Sequence, residues 1–449
     1  MKRVYTLGFE YQYLAAALAL LAAMVAIACA AGVQLSGLSA EQAFAVEATS
    51  TSRAELAAES AATTKVQSEA KPSKKQRKAF KSASADFSID LFKRCVAAEG
   101  ANSNVTVAPM SVLTALAMTA NGASGKTATQ MLNVLADGAS AKVLRENLRW
   151  YNSKLKNVKK AHISSANAIW YDNSASLVMK KRFLKANKKY LGAEVRPADF
   201  TNQATTDSIN AWVAAKTNDM IKQLIGRLDP DSRIVLVNAL YFDAEWLSPY
   251  DKSDVNARPF TTGSGDKHTV DMMFSSEHRY IEGNGATGFI RPYAKGYSYV
   301  ALLPEKGTSL KQFVSKLDGA AFRKLVTKTT TPLVRAGLPK YTIEYSNEDM
   351  GTQLAAMGMP RAFDSARANF KKMGTDPTGN LYIGAVVHKT KIELDELGTK
   401  AAAATGVVAK AASAPIDVKI VILDRPFVYA IIDNATKLPV FIGTINDIG

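Results

Sequence analysis

Cysteine is nearly missing from this chain of 449 residues: only Cys29 and Cys95 occur, and Cys29 lies in an apolar leader. Two such residues exclude a disulfide framework and a cysteine zinc cluster. Histidine is scarce as well. His162, His268, His278 and His388 are scattered, and no HExxH pair, GxSxG elbow or CxxC pair occurs. His388 lies on the apolar side of an alternating run, where a lone histidine is read as a hydrogen-bonded core residue. The stretch nearest to a phosphate loop is ANGASGKT, Ala120 to Thr127. Such a loop needs a strand just before it so that its amides cradle phosphate, and the preceding ALAMTA continues a helical face. With no catalytic centre, metal site or cofactor site assembled, the chain is read as a protein other than an enzyme.

Acidic residues are in deficit, 40 against 56 Lys and Arg, which leaves a formal charge of +16. The surplus suits an anionic partner such as a cell-surface polymer, a membrane surface or nucleic acid. A basic tail with solvated helix faces is the plainer reading. Charge is absent from Tyr11 to Leu35, behind Lys2 and Arg3. A signal peptide has an apolar core of about 7–15 residues and a membrane span needs about 20. Residues 1–35 therefore read as a signal peptide or membrane anchor. Ala28-Cys29-Ala30 resembles a cleavage site, and Val25 to Cys29 a loose lipoprotein box, so cleavage, lipidation and retention all stay open. The Lys/Arg bias puts the rest of the chain outside the cell or on the outer face of its membrane. Residues 36–85 are rich in Ala, Ser, Glu and Lys and read as a disordered linker, basic in its second half.

Residues 86–449 read as one folded domain. FSIDLFKRCV has helical spacing, a strand is expected at Val105 to Val107, and a helix after Pro109 with Val112, Leu113, Leu116 and Ala117 on one face. Arg145 to Lys160 and Lys180 to Lys189 are basic helical stretches. Strand-like runs follow at Ile163 to Tyr171, Arg233 to Phe242, Tyr297 to Leu303, Val334 to Tyr345, Phe427 to Ile432 and Pro439 to Thr444. Helices come early and strands late, which predicts an α+β fold with large mixed sheets.

From His388 to Asp395 the chain alternates, with Val386, His388, Thr390, Ile392 and Leu394 on one parity. Gly398 allows a reversal. Alternation then survives almost without bulk: Thr399, Ala401, Ala403, Thr405 and Val407 on one side, Lys400, Ala402, Ala404, Gly406, Val408 and Lys410 on the other. This segment can slide in beside its predecessor as a strand. A helix competes, because alanine favours one.

Together these residues resemble the serpin family of protease inhibitors. NVTVAPMSVLTALAMTANGASGKTATQMLNVL (Asn104 to Leu135) looks like the family's first core strand and second helix. NALYFDAEW (Asn238 to Trp246), LPKYTIEY (Leu338 to Tyr345), LYIGAVVHKTKIELDELGTKAAAAT (Leu381 to Thr405) and DRPFVYAIIDNATKLPVFIG (Asp424 to Gly443) follow in family order. A bacterial-type member, exported or anchored, fits the leader.

The resemblance implies a serpin fold of three sheets, about nine helices and an exposed reactive-centre loop that baits a serine, or alternatively a cysteine, protease. Attack on one loop bond forms an acyl-enzyme; the freed loop then enters the central sheet and drags the protease with it. A dozen residues at roughly 3.3 Å each carry a cleaved end on the order of 40 Å. Each added ladder bond contributes about 0.5–1.5 kcal/mol, so insertion releases on the order of 10 kcal/mol and the intact form must be metastable. By the family's register the attacked carbonyl lies fourteen residues after the hinge glycine, at Ala412, with Ser413 beyond it. Alanine there suits an elastase-like or subtilisin-like target. Lys410, which would suit a trypsin-like one, and Ala411 and Ala414 are the alternatives.

The hinge comprises Glu396, Gly398, Thr399, Ala401, Ala402, Ala403, Ala404 and Thr405. Ser111, Asn238 and His388 match the family's shutter under the central sheet, and Trp246 its breach. Ala108 stands where serine is usual and Lys400 where glutamate is. A polyanion site is the reading of Arg145, Arg149, Lys154, Lys156, Lys159 and Lys160. A monomer that binds its target protease, and no nucleic acid, is expected; the alternative is a non-inhibitory serpin acting as a binding or scaffold protein.

Overall fold

The fold starts where local hydrogen bonds can begin a helix. Ser73 and Gln76 form a capping box, each side chain accepting the other's backbone N–H. From it runs α1 (Lys74–Ala98), which buries Phe80, Ala83, Phe87, Leu91 and Cys95. The linker expected to reach residue 85 thus ends sooner. Lys74, Lys75, Arg77, Lys78 and Lys81 belong to a helix, because Phe80 packs on Tyr151 with ring centroids 6.3 Å apart. Two apolar residues among so many lysines carried too little periodicity to show this. The computed structural model describes residues 71–100, 102–155, 161–173, 177–228, 232–348, 350–377, 379–399 and 418–448.

The other helices are α2 (Pro109–Ala120), α3 (Gly125–Ala136), α4 (Ala141–Leu155), α5 (Lys181–Leu191), α6 (Gln203–Lys216), α7 (Leu310–Ser315), α8 (Gly319–Thr327) and α9 (Met350–Ala356). They make nine α-helices among the described residues, in line with the serpin expectation. None is long and apolar enough to cross a membrane.

Three large sheets carry the strands. One has the order β1 (Val105–Val107), β18 (Pro439–Ile445), β17 (Phe427–Asp433), β10 (Tyr297–Pro304), β9 (Ala286–Pro292), β8 (Tyr280–Gly283). A second has β16 (Val418–Ile422), β11 (Leu333–Pro339), β7 (Lys267–Glu277), β6 (Val255–Thr261). The central sheet has β12 (Tyr341–Asn347), β14 (Ala385–Leu394), β15 (Gly398–Thr399), β5 (Ile234–Glu245), β2 (Ala161–Asp172), β4 (Glu194–Ala198). The strands β3 (Val178–Met179) and β13 (Gly374–Thr375) form a short separate ribbon.

Every residue of β10, β17 and β18 is buried, as befits continuous apolar runs. The single run read from Val334 to Tyr345 is two strands of different sheets, parted at Lys340. β6 to β9 went unread: β6 is a sheet edge with most of its residues exposed, so its sequence carries no alternation. α2, all of whose residues are buried, packs against both β5 and β18 and joins two sheets. The phosphate-loop look-alike is a helix-to-helix turn. Its Ser124 N–H donates to Asn369 O (2.8 Å), and Thr127 Oγ1 accepts from the Asn369 N–H (3.1 Å).

Candidate functional site at the hinge

β14 ends at Leu394, and the chain reverses at once. The Asp395 carboxylate accepts the N–H groups of Leu397 (2.8 Å) and Gly398 (3.1 Å), closing an Asx turn. Gly398 and Thr399 then lie in the central sheet, where Gly398 pairs with Glu245, and Thr399 with both Ala244 and Leu394. A Cβ on Gly398 would stand 2.1 Å from the Ala244 carbonyl oxygen, so only glycine can take this seat. The segment from Gly398 onward was read as loop, helix or inserted strand. Its first two residues are already inside the sheet.

Trp246 holds the turn from the side. Its N–H donates to Leu397 O (2.8 Å) and its indole Nε1–H to Asp395 O (3.0 Å), while the Tyr250 N–H donates to Glu396 O (2.9 Å). Three successive carbonyls are thus satisfied in a buried place. Tyr293 stacks on Trp246 at 4.4 Å, nearly parallel, and its hydroxyl lies 2.6 Å from Thr399 Oγ1. Thr399 is 1% exposed. Beneath them the buried Arg291 pairs with Glu277, donates to Ser248 O and lies 3.8 Å over the Tyr250 ring. On the other side Lys340 Nζ bridges Glu396 (2.5 Å) and Asp271 (3.3 Å). Burial opposes ionisation of Glu396 most strongly, but the Lys340 hydrogen bond, a backbone hydrogen bond and the Lys340 charge together outweigh it and hold the carboxyl below its usual range.

Below the hinge the sheet is parted. β14 and β5 pair in parallel from Ala385–Val387 to Val235–Val237. Among the described residues no ladder joins them from His388 and Asn238 upward, until β15 fills the top. His388 and Asn238, both read as shutter residues, therefore mark the fork by their backbone positions. His388 is fully enclosed: its Nε2 accepts the Ala108 N–H (3.1 Å), and burial pushes its pKa down to about 4. Thr390, next on the same parity, donates to Thr106 O (2.9 Å). Ser111 is buried in the first turn of α2, whose N-cap Ala108 offers no capping side chain. Hence Ser111, Asn238 and His388 belong to the lower fork and Trp246 to the upper clamp.

Other expected residues lie elsewhere or outside the described residues. Lys400, Ala401 to Thr405, and Lys410 to Ala414 with the reactive bond are outside, as are Lys156, Lys159 and Lys160. Arg145, Arg149 and Lys154 are on α4, with the guanidinium carbons of the first two 4.7 and 5.8 Å from the Tyr190 ring of α5. Those two arginines lean on a neighbouring helix instead of standing in a row along α4. Sequence reasoning missed Tyr293, Tyr250, Arg291, Glu277 and Lys340, which come from distant strands and the connections between them and carry no local signature. Only Asp395, three residues before Gly398, offered one.

This arrangement is a strand end poised over an opening, not a set of reacting groups. A family model described as "Serpin (serine protease inhibitor)" matches residues 82–448. The crystal structure of tengpin, a thermophilic serpin, in its native state is 41% identical with a TM-score of 0.79, covering 85% of this chain and 96% of that one. A leukocyte elastase inhibitor of Xenopus laevis is 30% identical over 376 residues, 81% of this chain and 97% of its own. Native protease nexin-1 crystallised with heparin is 26% identical with a TM-score of 0.71, covering 82% of this chain and 98% of that one. The chain belongs to the serpin family, described as serine protease inhibitors rather than enzymes.

Proposed function

We propose that this serpin traps a serine protease as an acyl-enzyme, with a cysteine protease as the second target class. The observation that carries the reading is the seat of Gly398 and Thr399 at the head of an open slot between β14 and β5. The protease hydroxyl attacks the Ala412 carbonyl, an ester forms, the peptide bond breaks, and the proton passes through the protease base to the departing Ser413 nitrogen. Residues after Thr399 then pair down the slot. Thr399 faces inward, so parity turns Ala401, Ala403 and Thr405 inward too, where only small side chains fit. Lys400 and Lys410 face solvent.

Alanine at the cleaved bond favours an elastase-like or subtilisin-like target, and the resemblance to an elastase inhibitor supports that choice. Incubation with elastase, subtilisin and trypsin tests it. An SDS-stable adduct with a released peptide beginning at Ser413 is expected. A peptide beginning at Ala411 moves the bond to Lys410 and the target to a trypsin-like enzyme. Full protease turnover without adduct hands the function to the scaffold reading.

A polyanion is a second partner in this proposal, supported by the α4 cations and by the nexin–heparin structure. It predicts salt-dependent heparin binding that weakens in Arg149→Gln/Lys154→Gln. Residues 1–35 would export the protein or anchor it on the outer face of the membrane. The N-terminal residue of the mature protein and its partition into the membrane fraction decide between those outcomes.

A further inference from the structure

Arg145, Lys180, Arg182 and Lys372 come from separate segments of the chain and line one cavity of about 560 Å³. The turn after α2 and the faces of α3, α4 and α5 enclose it, and Leu132 and Phe183 supply an apolar floor. That volume lies within the range of small-molecule sites. No Asp or Glu lines the cavity. Among the described residues none of its four cations pairs with a carboxylate.

Backbone contacts hold the charges together. Lys180 donates through Nζ to Lys371 O (2.6 Å) and through its N–H to Met373 O (2.8 Å). The Lys372 N–H donates to Gly122 O (3.1 Å). Arg145 stacks on Tyr190, and among the described residues its buried Nε has no acceptor. Four like charges gathered without a counter-ion repel one another, and a buried donor without an acceptor costs free energy. An anion relieves both.

We propose that this cavity binds an amphipathic anion, a phosphate or sulfate ester whose head meets the four cations while its apolar part lies on Leu132 and Phe183. The site differs from the polyanion residues read on α4, with which it shares only Arg145. The head group could belong to a membrane lipid or to a soluble ester, and the two sources are separable.

Calorimetric titration of the full chain with octyl phosphate tests the proposal, with inorganic phosphate and octyl glucoside as controls. Saturable one-to-one binding of octyl phosphate is expected, with each control weaker by about tenfold or more, since each lacks half of the recognition. Arg182→Gln/Lys372→Gln should lose about tenfold in affinity while keeping its melting temperature and its protease adduct. Ala186→Trp, which fills the cavity and leaves the charges, should lose a similar amount. Flotation with phosphatidic-acid vesicles beyond that with phosphatidylcholine, reduced in the double variant, assigns the lipid source. Octyl phosphate binding without that increment assigns a soluble ester. Absence of saturable binding, or equal binding by both variants and the unaltered protein, overturns the site.

Discussion

On the proposed mechanism, Thr399 is the side chain whose fit would decide between trap and substrate. Its hydroxyl meets Tyr293 in a place with no room for charge, so Thr399→Arg should expel β15 from the sheet. Protease adduct should then fall by at least about tenfold in favour of turnover, a loss of roughly 1.4 kcal/mol or more in the partition. Thr399→Ser should keep most of it. Adduct formation by the arginine variant at the unaltered rate would show that insertion does not start there. His388 sets a pH limit. Its pKa is about 4 when folded, against an ordinary value of 6.5, so the unfolded chain takes up a proton that the folded chain refuses. Stability is complete above pH 6.5 and is lost as pH falls towards 4, by about 3 kcal/mol in all. Melting curves between these pH values should slope less steeply in His388→Gln. The buried parity of His388 was legible from its alternating run. Its bond to the Ala108 N–H was not, since the two are 280 positions apart.

At the scale of elements, the parted strands β14 and β5 are an unfilled place in a sheet. Unpaired backbone groups there will take a strand of the right parity. A synthetic peptide covering Thr399 to Lys410 should anneal into the opening, raise the melting temperature and abolish adduct formation, because the loop then finds its place taken. A peptide with Ala401 and Ala403 replaced by tryptophan should do neither. The strands themselves were legible as apolar runs, and from His388 to Leu394 β14 matched its expected alternation residue by residue. That they separate after Val387 was not, for the same residues would alternate identically in a closed sheet. α1 was harder, because its first turns bury only Phe80 and Ala83 among basic residues.

For the molecule as a whole, the proposed trap requires that the intact chain, with the slot between β14 and β5 open, lie above the cleaved form with its loop inserted. Filling the slot adds ladder hydrogen bonds worth on the order of 10 kcal/mol. Cleavage in the loop should therefore raise the melting temperature by on the order of 10–20 °C, read by calorimetry on the nicked and intact proteins. Equal melting temperatures would remove the driving force on which trapping depends.

Periodicity, the hinge glycine and the family motifs in order were enough to specify the family and the α+β architecture, because these depend on neighbours along the chain. The seat of Gly398 and Thr399, the aromatic clamp of Trp246 and Tyr293, the Lys340 bridge and the cationic cavity arose only on folding. Each joins residues from strands, helices or turns far apart in sequence. A contact of that kind leaves no local pattern, and only packing brings its partners within reach.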